Sequence, residues 1–123
     1  DYKFREAVIR GDVEDGATIE GRVFVDEGAI VREDCVVRGP AYIGRNTVIG
    51  PDVYVGPYTS IGDSCRLERV EIENSVVMDG VELVGIEGRV VDSLIGAGAR
   101  VERVNTRPRG VRLIVGEHAV VRF

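Results

Sequence analysis

From Val13 to Leu67 every sixth residue is aliphatic: Val13, Ile19, Val25, Val31, Val37, Ile43, Ile49, Val55, Ile61 and Leu67. Val, Ile and Leu make up roughly 30% of the chain, so ten successive hits have chance odds on the order of one in 10⁵. A helix repeats every 3.6 residues and a strand every two, and neither period produces this spacing. A fixed six-residue repeat fits a β-solenoid, in which three hexads close one triangular circuit of about 18 residues. The repeating aliphatic then points into a prism whose walls are short parallel strands stacked about 4.8 Å apart.

The other hexad positions agree. Four residues after each aliphatic stands a small side chain, such as Ala17, Ala29, Cys35, Thr47, Thr59 or Cys65, which suits the tight space beside a corner. The corners need positive φ, and the turn pairs Asp15-Gly16, Glu27-Gly28, Arg45-Asn46 and Asp63-Ser64 supply residues that tolerate it. At Gly39-Pro40 the proline ring forbids that conformation, which assigns the positive φ to Gly39. Cys35 and Cys65 stand 30 residues apart, not a multiple of 18, so they belong to different walls as buried small residues.

Residues 1–12 read as a lead-in or linker, and residues 13–123 as the solenoid domain. The period steps by five from Leu67 to Ile72, resumes through Met78, Val84 and Val90, steps short again to Ile95, and reaches Val101. It degrades over Val84–Arg89, where a wall is expected to bulge. It fails over Glu102–Ile114 and returns at Val115. The expectation is an all-β parallel prism of about six coils, interrupted by an Arg-rich loop over 102–114. That loop holds Arg103, Arg107, Arg109 and Arg112, the one basic cluster in a chain of formal net charge −5. Its guanidinium groups suit a carboxylate face of a neighbouring domain, or a phosphate.

The residue before each inward aliphatic points out and stacks with equivalents about 18 residues away. One such ladder reads Phe24, Tyr42, Ser60, Val77, another Ile30, Val48, Arg66, Leu83, and a third Thr18, Val36, Tyr54, Glu71. Phe24, Tyr42 and Val77, with Ile30, Val48 and Leu83, are therefore the expected subunit contacts, in a homotrimer of parallel prisms.

Reactive chemistry is scarce. His118 is the single histidine and so the one candidate for a general base. Prisms that hold a catalytic metal on three histidines are excluded by that count. Glu71 and Glu73 lie in a charge run that reads as a solvated face. The acidic balance argues against nucleic-acid partners and anionic membrane surfaces, and no apolar run of about 18 residues suggests a membrane span. A cytoplasmic location follows as the default expectation.

The hexads resemble the left-handed parallel β-helix of hexapeptide-repeat proteins; the left hand comes from that resemblance, since the period fixes only the circuit length. Tyr42–Ser64 resembles the C-terminal prism of sugar-nucleotide pyrophosphorylases. The segments Val70–Met78, Val91–Gly96 and above all the aperiodic Arg107–His118 resemble the tail of long-form glucose-1-phosphate thymidylyltransferases. That family implies nucleotidyl transfer from dTTP to glucose 1-phosphate with Mg²⁺, carried out by an N-terminal catalytic domain. No residue here matches that domain's Gly-rich nucleotide loop. The resemblance therefore implies a C-terminal domain, inactive alone and free of cofactor, that joins subunits and docks its own catalytic domain through the Arg-rich loop. The alternatives are an acetyl-CoA-dependent acyltransferase acting on amino-sugar phosphates and a stand-alone scaffold. For the acyltransferase, Gly96-Ala97-Gly98-Ala99 is suggestive, but it lacks a neighbouring His or Lys.

Overall fold

A computed structural model describes residues 7–104 and 110–114. Three walls of short strands wind into a parallel β-solenoid, and no helix occurs among the described residues. The first wall stacks β1 (Val8–Ile9), β4 (Val23–Val25), β7 (Ala41–Ile43), β10 (Thr59–Ile61), β13 (Val76–Val77) and β16 (Leu94–Ile95). The second holds β2 (Asp12–Val13), β5 (Ile30–Val31), β8 (Val48–Ile49), β11 (Arg66–Glu68), β14 (Glu82–Val84), β17 (Arg100–Val104) and β18 (Gly110–Ile114). The third holds β3 (Thr18–Glu20), β6 (Val36–Arg38), β9 (Val53–Val55), β12 (Val70–Glu73) and β15 (Arg89–Val91). The described chain completes about five turns, not six, with two walls of a further one. The expected loop over 102–114 is instead largely a hairpin. There β18 runs antiparallel to β17, pairing Glu102 with Arg112 and Arg103 with Val111, and it ends the second wall. Within the lead-in segment Val8 already pairs with Phe24.

The axis is aliphatic. Val25, Ile43, Ile61, Val77 and Ile95 project from the first wall. Val31, Ile49, Leu67, Leu83 and Val101 project from the second, and Val37, Val55, Ile72 and Val90 from the third; all are at most 1% exposed. Each such side chain contributes roughly 1.5–3 kcal/mol by leaving water. Ala29, Cys35, Thr47, Val53, Thr59 and Cys65 fill the small positions and are buried. Cys35 and Cys65 are free thiols entering the third and second walls respectively, as their spacing requires.

Past Leu67 the register departs from the expected one. Ile72 is followed at five residues by Val77 and at six more by Leu83, so Met78 and Val84 do not reach the axis; Met78 is 46% exposed. The cause is local. A six-residue corner uses two turn residues, whereas Arg69, Asn74 and Asp92 each turn a five-residue corner alone in the left-handed region. The chain recovers the lost residue between Leu83 and Val90, where Gly85 and Gly88 both take positive φ and Ile86 folds inward at 7% exposure. This is the bulge expected from the degraded pattern.

Positive φ falls on Gly16, Gly28, Asn46 and Ser64 as expected, but not on Gly39. The Gly39–Pro40 peptide is cis, and Gly39 is required for a different reason: a Cβ there would fall on the Arg22 carbonyl of the coil beneath. Gly21, the equivalent position one coil earlier, does take positive φ.

Buried hydroxyls complete the corners. Thr47 donates to the Gly62 carbonyl at 2.6 Å and accepts from the Cys65 amide at 3.1 Å, inserting its oxygen into the turn of the next coil. At Ala29 the same turn closes directly, amide to Asp26 carbonyl at 3.2 Å. Ser75 accepts from the Ser93 amide at 3.1 Å in a similar way. No buried side-chain polar atom among the described residues lacks a partner.

Candidate functional site: three walls of different character

The walls expose different chemistry because their outward ladders differ. The third wall is ionic. Arg38 bonds Glu20 at 2.8 Å, and Arg89 reaches Glu71 at 3.3 Å and Glu73 at 3.1 Å. Tyr54 lies between the two guanidinium groups, 5.7 and 4.9 Å from its ring centre. One arginine thus bridges both Glu71 and Glu73 on the solvated face.

The second wall is mixed. Ile30 and Val48 pair as outward, half-buried neighbours, and beyond them the ladder turns to Arg66, Glu82 and Arg100. Leu83, expected on this surface, is 1% exposed and belongs to the axis, with Glu82 in the outward place. The same one-residue slip moves Val77 inside and Val76 outside on the first wall.

The first wall is apolar along its length. Its outward ladder is Val8, Phe24, Tyr42, Ser60, Val76, Leu94. Val8, Val76 and Leu94 are 46, 47 and 44% exposed, and Met78 flanks them at the corner. Phe24 and Tyr42 stack at 5.6 Å with Arg10 over the Phe24 ring. Beside the rings runs a groove of about 490 Å³, floored by Val23, Ala41 and Thr59 and walled on its far side by Arg22, Pro40 and Tyr58. Tyr42 donates to Asp26 at 2.8 Å, and Glu27's amide donates to the same carboxylate at 2.7 Å. The backbone amide first, then the tyrosine hydroxyl, hold the Asp26 carboxyl below its usual range, and the same contact raises the Tyr42 hydroxyl.

Phe24 and Tyr42 therefore come together as expected, while Val76, Met78 and Leu94 were missed. Two consecutive five-residue steps, Leu67 to Ile72 to Val77, were the available signal. Arg103 and Arg112 lie one pair apart on the β17–β18 hairpin; Arg107, Arg109 and His118 fall outside the described residues. Among the described residues no group of three or more His, Cys, Asp or Glu side chains could hold a metal. Burial raises both thiols, Cys35 to about 11, so neither is a ready nucleophile. No helix among the described residues is long and apolar enough to cross a membrane.

A parallel prism with an aliphatic axis, six-residue sides and left-handed corner residues defines a hexapeptide-repeat β-solenoid. Within that class the chain belongs to the GMPPB C-terminal domain family, which matches residues 19–122. The low-salt glycan biosynthesis nucleotidyltransferase Agl11 of Haloferax volcanii is 52% identical over 93% of this chain and 32% of its own length. Glucose-1-phosphate thymidylyltransferases of Streptomyces antibioticus and Streptomyces griseus are 37% and 38% identical, over 94% and 89% of the chain and 32% and 30% of theirs. The chain thus spans about a third of these relatives. The acetyltransferase domain of PglB from Neisseria gonorrhoeae shares the fold, with a TM-score of 0.51 at 14% identity, covering 89% of this chain and 58% of that domain.

Proposed function

We propose that this domain is the assembly and docking module of a sugar-1-phosphate nucleotidyltransferase, of the glucose-1-phosphate thymidylyltransferase kind. The observation that carries this reading is the apolar first wall on a prism of that family, with Val76 and Leu94 nearly half exposed. A rigid prism cannot fold such a stripe away, so a stripe of this length is best covered by another protein surface. The Arg-rich segment 102–114, whose sequence carries Arg103, Arg107, Arg109 and Arg112, is the second contact, toward a carboxylate-bearing face of the catalytic domain. Nucleotidyl transfer and its Mg²⁺ belong to that domain. The compartment this reading implies is the cytoplasm.

Light scattering tests the assembly role. The 123-residue chain should exceed its monomer mass of 13.4 kDa, and Val76→Asp/Leu94→Asp should return it to that mass with its circular dichroism unchanged. A strict monomer at micromolar concentration would overturn the assembly role.

The shared fold with the PglB acetyltransferase domain favours one second reading, acyl transfer from acetyl-CoA to an amino-sugar phosphate. Free-thiol release from acetyl-CoA with glucosamine 1-phosphate would establish it. No release, and no turnover of dTTP with glucose 1-phosphate by this chain, is the outcome the assembly reading expects.

A further inference from the structure

The corner between the third and first walls carries a ring that folding alone does not explain. Tyr58 turns this corner in the left-handed region, at a φ of 61°, and its side chain is 71% exposed. One and two coils later the same corner is turned by Asn74 and Asp92, residue types that take this conformation far more readily. An aromatic residue is strained there, and a ring left in water gains no burial to offset the strain. Strain kept at an exposed position points to function where a second feature agrees. Here that feature is the groove beside the first wall. Tyr58 stands on one side of it and Tyr42 on the other, with the Tyr42 hydroxyl donating to Asp26. Ser60, the next rung after Tyr42, is too small to fill the space between the two rings. Arg22 lines the same side as Tyr58, two coils earlier and roughly 10 Å away along the axis. It is exposed and forms no ion pair among the described residues. Among those residues no acidic side chain lines the groove, in a chain with 21 Asp and Glu against 16 Lys and Arg.

We propose that this groove binds a nucleotide, with the base between Tyr42 and Tyr58 and the 5′-phosphates extended toward Arg22. A flat base presents a π-face on either side, which two aromatic side chains can cover. An unpaired guanidinium matches phosphate in charge and in forked geometry. The spacing of rings and cation is that of a base and the phosphates of its own nucleotide. A cavity of about 490 Å³ has room for a ligand of this size. A bare anion would have no use for the rings, and an apolar peptide none for Arg22. The base-and-phosphate chemistry stands on the groove; the choice of a thymidine nucleotide rests on the nucleotidyltransferase reading above. Val76, Met78 and Leu94 lie outside the lining, so this site and the assembly ridge are separate.

Amide shifts of the ¹⁵N-labelled chain test the site, with thymidine 5′-diphosphate, thymidine and pyrophosphate as probes at millimolar concentration. The diphosphate should shift the Tyr58, Thr59 and Ser60 amides saturably. Thymidine should shift the same amides about five- to tenfold more weakly, and pyrophosphate should leave them in place. Tyr58→Asn suits the positive φ, so it should melt no lower than the parent while weakening the nucleotide about tenfold. Arg22→Gln should weaken the diphosphate to the level of thymidine and leave thymidine itself unchanged. No saturable shift at these amides, full binding by Tyr58→Asn, or pyrophosphate binding as tightly as the nucleotide would overturn the site. Adenosine 5′-diphosphate binding as tightly as the thymidine nucleotide would uphold the site and overturn the thymidine assignment. Saturable binding by a chain that stays monomeric would uphold the site and overturn the assembly role alone.

Discussion

Thr47→Val is the substitution whose cost the corner geometry determines most closely. Thr47 is fully buried, and valine has nearly its shape, so packing changes little. What is lost is the hydroxyl bridge between the Gly62 carbonyl and the Cys65 amide. A buried amide left without an acceptor costs about 1–3 kcal/mol, and the extra apolar group returns somewhat under 1 kcal/mol. The one available relief is for the turn to close directly, as at Ala29, which requires the Cys65 amide to move toward Gly62. The net expectation is a loss of about 1–2 kcal/mol, a fall in melting temperature of roughly 4–8 °C for a chain this long. Urea denaturation and hydrogen exchange together read it. Exchange at the Cys65 amide should accelerate in Thr47→Val and stay slow in Thr47→Ser, which keeps the bridge while losing a methyl. A Thr47→Val chain as stable as the parent, with a protected Cys65 amide, would refute the reasoning by showing that the turn closes without the hydroxyl.

Val77→Asp puts a charge on the axis and should abolish cooperative unfolding, whereas Val76→Asp should change stability by less than about 1 kcal/mol while weakening self-association. Both thiols should resist an aromatic disulfide reagent at pH 8 and react together once denaturant is added, since burial holds them protonated and covered. Asp26 has its folded pKa depressed below the ordinary 3.8, so its contribution is present above that value and lost as pH falls through the lower folded one. Melting between pH 5 and pH 2 should therefore drop further in the parent chain than in Asp26→Asn.

The hexads made the architecture legible because each inward position must be aliphatic to stack on its neighbours. That demand is strict from Val25 to Leu67, and there the walls, the small positions and most left-handed corners matched expectation. It weakened where a corner could be turned by one residue instead of two. Asn74 and Asp92 look like ordinary polar residues, and nothing in their identity announces that each replaces a pair. Since Val76, Val77 and Met78 are all apolar, the pattern could slide by one without penalty, and so the candidate surface was misplaced by one rung. Gly39 was misread for a related reason: a glycine needed for close approach looks the same in sequence as one needed for its φ. The aperiodic segment Arg107–His118 is legible only through its resemblance to a family tail, since periodicity says nothing about it.

Met78 offers the most direct measurement, being the single methionine in the chain. Its ¹³C-labelled methyl gives one resonance whose broadening by a soluble nitroxide reports contact with solvent. A side chain 46% exposed beside an association surface should be broadened in dilute solution and protected as concentration rises. Protection at every dilution would return Met78 to the axis and contradict the register; broadening unchanged with concentration would contradict the assembly surface.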